Sequence, residues 1–301
     1  MFLSAIICTY NREKYLYNVL ASLANNDIDV SKYEIVLVNN NSTDNTESEY
    51  QRFKTDYPNV STIYCIETNQ GLSYARNRGI AESHGDLIVY VDDDALVNEK
   101  YLSTYFNFFE NHSEFDAAGG PIIPKYETSE PEWMSHYTKL LLTGYLYKGE
   151  VETEFVGNAY PGGGNAAYRK SVFDKVGLFN VELGRKGVGL MGSEEKDIFD
   201  KMRGLGMRIC YLPSAILYHL IPDFKLKHDY LVRLSYAIGR GERVRTQAIS
   251  KAKYYNRVFM EIVKWAGTLA YWLLYFVQGN KQKGEKLIAF RLNVSKGLFG
   301  K

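Results

Sequence analysis

Residues Leu87 to Val91 form an apolar run that leads straight into Asp92, Asp93 and Asp94. A buried strand that ends this way sets three mutually repelling charges at one edge of a sheet. Burying them costs stability unless something positive neutralises them. Oxygen ligands of this kind suit hard ions such as Mg²⁺ or Mn²⁺, which are usually held by one or two carboxylates together with a substrate's phosphates. The competing reading is a solvated acidic turn or a favourably charged helix N-terminus. Two acids would satisfy that reading more easily than three.

The segment before this point alternates between two periodicities. Leu3 to Cys8 reads as a strand, and Glu13 to Ala24 has helical spacing through Leu16, Val19, Leu20 and Leu23. Strands follow at Glu34 to Val38 and near Val60 to Glu67, with helices over Glu47 to Asp56 and Leu72 to Ser83. Such alternation predicts an α/β fold with a doubly wound, mainly parallel sheet and ligands at the carboxyl ends of its strands. Polar clusters fall at those ends: Thr9-Tyr10-Asn11-Arg12, Asn39-Asn40-Asn41, Thr68-Asn69-Gln70 and Asp92-Asp93-Asp94. No G-x-G-x-x-G follows the first strand and no G-x-x-x-x-G-K-[ST] occurs, which argues against a dinucleotide site of the Rossmann type and removes the P-loop NTPases. Arg76 and Arg78, on the helix after Asn69-Gln70-Gly71, suit a phosphate. Their alternative role is surface charge on an amphipathic helix.

Charge divides the chain in two. From Asp223 onward there are 16 Lys and Arg against 5 Asp and Glu, a net +11 in a chain whose total is +1, so residues 1–222 carry −10. We therefore expect a catalytic domain over 1–222 and a basic, aromatic, helical region over 223–301. The acidic body argues against nucleic acid as a partner, and the basic region suggests an anionic membrane surface. Trp265 to Val277 is uncharged and aromatic but falls short of the roughly 20 apolar residues that span a bilayer. It reads as an interfacial helix or one packed on the domain. Cys8, Cys65 and Cys210 are odd in number and widely spaced, which indicates neither a disulfide framework nor a zinc site. The opening MFLSAIICTYNREK lacks a basic n-region, so the expected compartment is the cytoplasm.

Taken in order, SAIICTYNR, IVLVNNNSTDNT, NQGLSYARNRGI, GDLIVYVDDDA, GGGNAAYRKSVFDKVGLFN and GSEEKDIFDKMRGLGMRICYLPSAILYH resemble the inverting nucleotide-sugar glycosyltransferases of the GT-A fold, glycosyltransferase family 2. The resemblance spans roughly residues 3–222. It implies that Thr9 and Tyr10, with an acid at the end of the second strand, line the nucleobase pocket, the neighbouring Asn11, Arg12, Asn41 and Asn69 belonging to the same nucleotide-binding edge. Here the acid's position holds Asn39, an amide that suits the N3–H and O4 edge of uracil better than guanine's paired donors, which favours a uridine or thymidine diphosphate sugar. The family's D-x-D motif falls on Asp92, near the ribose, and Asp94, a ligand of Mn²⁺ or Mg²⁺, with Asp93 between them. Arg76 would meet the phosphates. His219 matches a further metal ligand in several relatives.

The family's general base falls on Glu195, a Glu where Asp is usual. Helical spacing groups Glu195 with Ile198, Phe199, Met202 and Leu205, and sets Glu194, Asp197 and Lys201 on another face. Glu194 and Asp197 then read as acids stabilised by the helix dipole, Asp197 being the alternative base. Gly163, Gly164 and Asn165 would bring backbone close to donor sugar or acceptor. The implied activity is transfer to a glycan or lipid-linked acceptor in cell-surface polysaccharide synthesis of bacterial type, peripheral to the inner face of the plasma membrane. A sugar nucleotidyltransferase would need a glycine-rich basic loop after the first strand. A non-catalytic carbohydrate-binding scaffold would not need the intact acids.

Overall fold

The structure, a computed structural model, describes residues 1–187 and 189–300. The first third alternates strictly: β1 (Leu3–Thr9), α1 (Glu13–Ala24), β2 (Tyr33–Asn39), α2 (Thr46–Asp56), β3 (Thr62–Ile66), α3 (Leu72–Glu82) and β4 (Leu87–Asp92). Then come β5 (Ala95–Val97), α4 (Tyr101–Asn111), β6 (Ala117–Gly119), β7 (Ile122–Tyr126), α5 (His136–Thr143), β8 (Thr153–Glu154), β9 (Asn165–Arg169) and α6 (Val172–Val176). The remainder is α7 (Glu194–Gly204), β10 (Ile209–Tyr211), β11 (Leu217–Ile221), α8 (His228–Ile249), α9 (Lys251–Val277) and α10 (Lys281–Phe299).

Among the described residues the strands form an eight-stranded sheet, ordered β3-β2-β1-β4-β9-β6-β10-β8, and a three-stranded sheet, β5-β11-β7. The strands β3, β2, β1 and β4 run parallel, and β9 is antiparallel to both β4 and β6. Both faces of the large sheet are covered. Leu3, Ala5 and Ile7 of β1 face one cluster with Leu16, Leu20 and Tyr105, while Ile6 faces another with Ala75, Ile80, Ile198 and Phe199. Two buried faces explain why these strands read as near-continuous apolar runs rather than alternating ones.

Asn165 fixes the point where β9 enters. It is fully buried, and its Oδ1 accepts from the hydroxyls of Tyr101 (2.9 Å) and Tyr105 (2.6 Å) on α4. Its Nδ2 donates to the carbonyls of Pro121 (2.8 Å) and Ala215 (3.0 Å). Expected to meet substrate, Asn165 is instead a structural hub, because burial and four internal hydrogen bonds leave its amide nothing to offer a ligand.

The chain separates into two compact units. The first comprises Met1–Lys125, Tyr145–Val181 and Glu194–Leu220, and the second Tyr126–Gly144, Glu182–Ser193 and Ile221–Lys301. Sequence reasoning drew one boundary after residue 222, whereas the second unit also takes in two earlier segments. The cause is apolar packing: Met134 and Leu142 bury against Leu231 and Leu234 of α8, with Trp133, Leu190 and Phe290 alongside. No described helix is long and apolar enough to cross a membrane.

Asn165→Leu would keep the volume and strand both tyrosine hydroxyls and two carbonyls. At about 1–3 kcal/mol for a buried group left unsatisfied, urea denaturation should show a loss of about 3 kcal/mol or more. Surface changes such as Lys54→Ala should stay within about 0.5 kcal/mol.

Candidate active site

Because β1, β2, β3 and β4 are parallel, their carboxyl ends share one edge, with Thr9 opposite Asn39 and Cys8 opposite Asp92. The chain leaves β1 through Asn11, whose φ of 53° lies in the left-handed region that asparagine tolerates. Its N–H donates to Ser42 Oγ (3.0 Å) and its Oδ1 accepts from the Thr43 N–H (2.8 Å). Asn41, also left-handed at 65°, turns the next loop. Asn39 donates to the Tyr64 hydroxyl (2.8 Å) and accepts from the Ser42 N–H (2.8 Å), which leaves one amide N–H for a ligand. The Asn69 side chain donates to Glu67 (2.8 Å). Asn40, which sequence reasoning did not single out, is buried and ties the second and third loops together, donating to the carbonyls of Glu67 and Asn69 and accepting from the Gly71 N–H. Its only sequence signal was three asparagines in a row at a strand end.

The three carboxylates diverge. Asp92 ends β4, and β5 begins directly after Asp94. β5 pairs antiparallel with β11 so that Ala95 lies opposite His219, and this register sets His219 Nε2 3.3 Å from Asp94 Oδ1. Asp93 accepts from the Tyr10 N–H (3.3 Å). Arg12 approaches both neighbours, its Nε 3.8 Å from Asp93 and its Nη2 3.7 Å from Asp94. Burial, and then the charge of Asp94, push the Asp93 carboxyl up to about 7, against the pull of Arg12. Among the described residues no three His, Cys, Asp or Glu side chains converge to enclose a metal by themselves. The buried Asp94 carboxylate beside an imidazole nitrogen nevertheless fits a hard divalent ion that completes its shell with a substrate's phosphates.

A second acidic group comes from the first turn of α7. Arg76 of α3, only 2% exposed, donates from Nη1 to Glu194 (3.0 Å) and from Nη2 to Glu195 (3.1 Å). Burial alone would weaken the guanidinium's hold on its proton, yet the carboxylates of Glu195 and Glu194 keep its pKa above the ordinary value. The rings of Tyr90 and Phe179 flank it with centroids at 5.5 and 5.3 Å. Arg76, expected at a phosphate, thus spends two donors on carboxylates.

Glu194 is also placed differently from the helical-spacing expectation. It is 1% exposed, drawn inward by Arg76, while Leu205, grouped with the inner face, is 58% exposed at the helix's end. The Glu195 side chain keeps 23% exposure, and Asp197 pairs with Lys201 at 2.8 Å. Arg78 pairs with Glu82 (2.7 Å) on the surface, its alternative role.

The glycines before β9 join these groups. A Cβ at Gly163 would collide with the Glu195 carboxylate, and one at Gly164 with the Asp92 carboxylate. Successive Cα atoms are about 3.8 Å apart, so residues distant in sequence bring a carboxylate from α7 and one from β4 against two adjacent backbone positions. The side chains that sequence reasoning grouped as base and D-x-D therefore occupy one small region.

Against known proteins, the family model described as Glycosyl transferase family 2 matches residues 4–177. A glucosyl-dolichyl phosphate glucuronosyltransferase of Haloferax volcanii is 28% identical over 254 residues, 81% of this chain and 77% of that protein. A poly(ribitol-phosphate) beta-glucosyltransferase of Bacillus spizizenii is 26% identical over 74% of this chain but only 36% of its own length. Among solved structures, the mannosyltransferase PcManGT of Pyrobaculum calidifontis, in complex with GDP-Man and Mn²⁺, superposes with a TM-score of 0.63 at 16% identity, covering 99% of this chain and 87% of that one. Residues 1–349 of TarS from S. aureus give 0.53 at 16% identity, covering 100% and 92%. At such identities these two structures speak for the fold alone.

Arg76→Met should remove the buried guanidinium that Glu194 and Glu195 share and cost about 3–5 kcal/mol in urea unfolding. Arg76→Met with Glu194→Leu, which removes both charges, should recover most of that loss.

Proposed function

We propose that this chain, which belongs to glycosyl transferase family 2 and so is a sugar-transferring enzyme, is a metal-dependent inverting transferase that uses a nucleoside diphosphate sugar. The observation that carries the reading is the convergence of Asp92 and Glu195 on Gly163 and Gly164, because single-step displacement needs the donor and a base within one small space.

In this reading the nucleobase lies over Thr9, Tyr10 and Asn39, with the remaining Asn39 N–H facing it. An amide there favours a uridine or thymidine diphosphate sugar. Asn11, Asn41 and Asn69 shape the loops around it, and Asp92 meets the ribose. Asp94 and His219 would hold Mn²⁺ or Mg²⁺, which when bound supplies positive charge for the departing diphosphate. Arg12, beside Asp93 and Asp94, adds a guanidinium to the same region. The backbone of Gly163 and Gly164 admits the sugar. Glu195 accepts the proton of an acceptor hydroxyl, whose oxygen bonds to the anomeric carbon as the carbon–oxygen bond to the diphosphate breaks, and the configuration inverts. Arg76 holds the Glu195 carboxylate in place through its hydrogen bond. One of its donors suffices for that, while the second holds Glu194.

The acceptor we infer is a glycan or lipid-linked carrier in cell-surface polysaccharide synthesis, with the enzyme cytoplasmic and peripheral at the inner membrane face. Dolichyl phosphate in one relative's name and poly(ribitol-phosphate) in another's support that class.

Calorimetry with UDP should show tight binding in Mn²⁺ and weak binding in EDTA, and Asp94→Asn should remove the difference more fully than Asp93→Asn. Equal affinity in both buffers would overturn the metal's role. Glu195→Gln is nearly isosteric, so donor binding should survive while transfer falls by about 10²-fold or more. Transfer at the unaltered rate would shift the base to Asp197.

A further inference from the structure

Helix α9 carries its polarity inside out. Its buried positions are polar: Glu261 is 1% exposed and Thr268 is buried. Glu261 accepts from Arg257 (2.8 Å), Arg291 (3.2 Å) and the Ser295 hydroxyl (3.0 Å), and the Trp265 indole donates to Ser295 Oγ (2.9 Å). Arg257 also reaches Glu242 of α8 at 3.1 Å. Its outward positions are apolar. Tyr255, Phe259, Ile262, Leu269, Leu273 and Val277 recur at steps of three, four and seven residues along one face, each more than half exposed. Val263, Leu274 and Phe276 flank them and are themselves about half exposed, so the stripe is wider than the narrow seam that a single helical partner covers.

A water-facing helix has the opposite arrangement, and a contiguous exposed apolar patch marks a contact surface. Charge identifies what it contacts. Lys251 stands exposed on the stripe side of the same helix, Lys253 and Lys264 are exposed on the side away from it, and the exposed Lys281 lies over the Phe276 ring at 5.2 Å just beyond it. The five acids among residues 223–301 include Glu242 and Glu261, both buried in ion pairs with Arg245, Arg257 and Arg291, so that network takes up only one unit of the net +11 and the rest of the region stays strongly basic. The helix's 27 residues extend about 40 Å, and no described helix can cross a bilayer. We propose that α9 lies in the plane of an anionic lipid surface, its outward stripe at the headgroup–acyl boundary and Lys251 and Lys281, at its two ends, at the lipid phosphates.

This deepens the peripheral location inferred above and is independent of the sugar chemistry. The test is flotation of the full chain with phosphatidylcholine vesicles, with and without phosphatidylglycerol, at low and high salt. The expected result is salt-sensitive binding to the anionic vesicles only. Ile262→Asp with Leu273→Asp should abolish it without altering the thermal melt, since both side chains are exposed. Changing Lys251 and Lys281 to Gln should weaken it about thirtyfold. Equal binding to both vesicle types, no binding at low salt, or retention by the aspartate pair would overturn the proposal. So would a dimer in size exclusion that the same pair converts to monomer, which would assign the stripe to a second copy. Mn²⁺-dependent hydrolysis of a nucleotide sugar, measured in the same samples without vesicles, reports separately on the transferase reading: its loss with binding intact leaves the docking surface standing.

Discussion

Negative charge gathered at one edge of a parallel sheet is the constraint around which this molecule is organised. Asp92, Asp93 and Asp94 leave β4 together, and Glu194 and Glu195 open α7. Left alone, these groups would repel one another in surroundings that screen them poorly. Two guanidiniums answer that repulsion. Arg12 stands near Asp93 and Asp94 at the longer distances that still let other cations compete, whereas Arg76 is buried and hydrogen-bonded to both glutamates. The first arrangement is adjustable and the second is fixed. That difference matches the proposed chemistry, in which a cation and a diphosphate come and go at the aspartates while the base must hold one position.

The large sheet was legible because its signals are local. An apolar run with a turn on each side specifies a strand whatever lies beside it, and β1, β2 and β4 fall within a residue or so of where the sequence put them. Four polar strand ends on one edge follow from parallel pairing alone. What escaped the sequence depends on partners far along the chain. Helical spacing set Glu194 on a different face from Glu195, because spacing knows nothing of an arginine 118 residues away that holds both carboxylates. Asn165 looked like a ligand contact beside three glycines, and only the positions of Tyr101, Tyr105, Pro121 and Ala215 make it a hub. The second unit likewise recruits Tyr126–Gly144 and Glu182–Ser193, segments whose own composition gives no hint of where they pack.

The helical unit solves a different problem. Its buried charges Glu242, Arg245 and Glu261 pair with one another and with the partly buried Arg257 and Arg291, a costly interior relative to a hydrocarbon one. Such a network tolerates few alternative pairings, so it holds α8, α9 and α10 in register even though α9 contributes little apolar burial to the packing. Apolar side chains are thereby left for the outer surface.

The reversed direction of β9 has a consequence for how such a molecule can diversify. Parallel strands all leave the sheet at one edge, so only a strand running the other way can deliver chain into that edge; β9 does so beside β4, with Val91 opposite Asn165. The segment arriving there is anchored at its end by Asn165 and lies outside every strand between β8 and β9, with Val156 and Gly157 exposed. Insertions and exchanges between β8 and Gly162 leave every strand register unchanged, yet in the proposed chemistry they would remodel the wall that a sugar meets. Preference among substrates can therefore drift within a lineage while the residues of the reaction itself stay put, a separation of selectivity from reactivity built into one inverted strand.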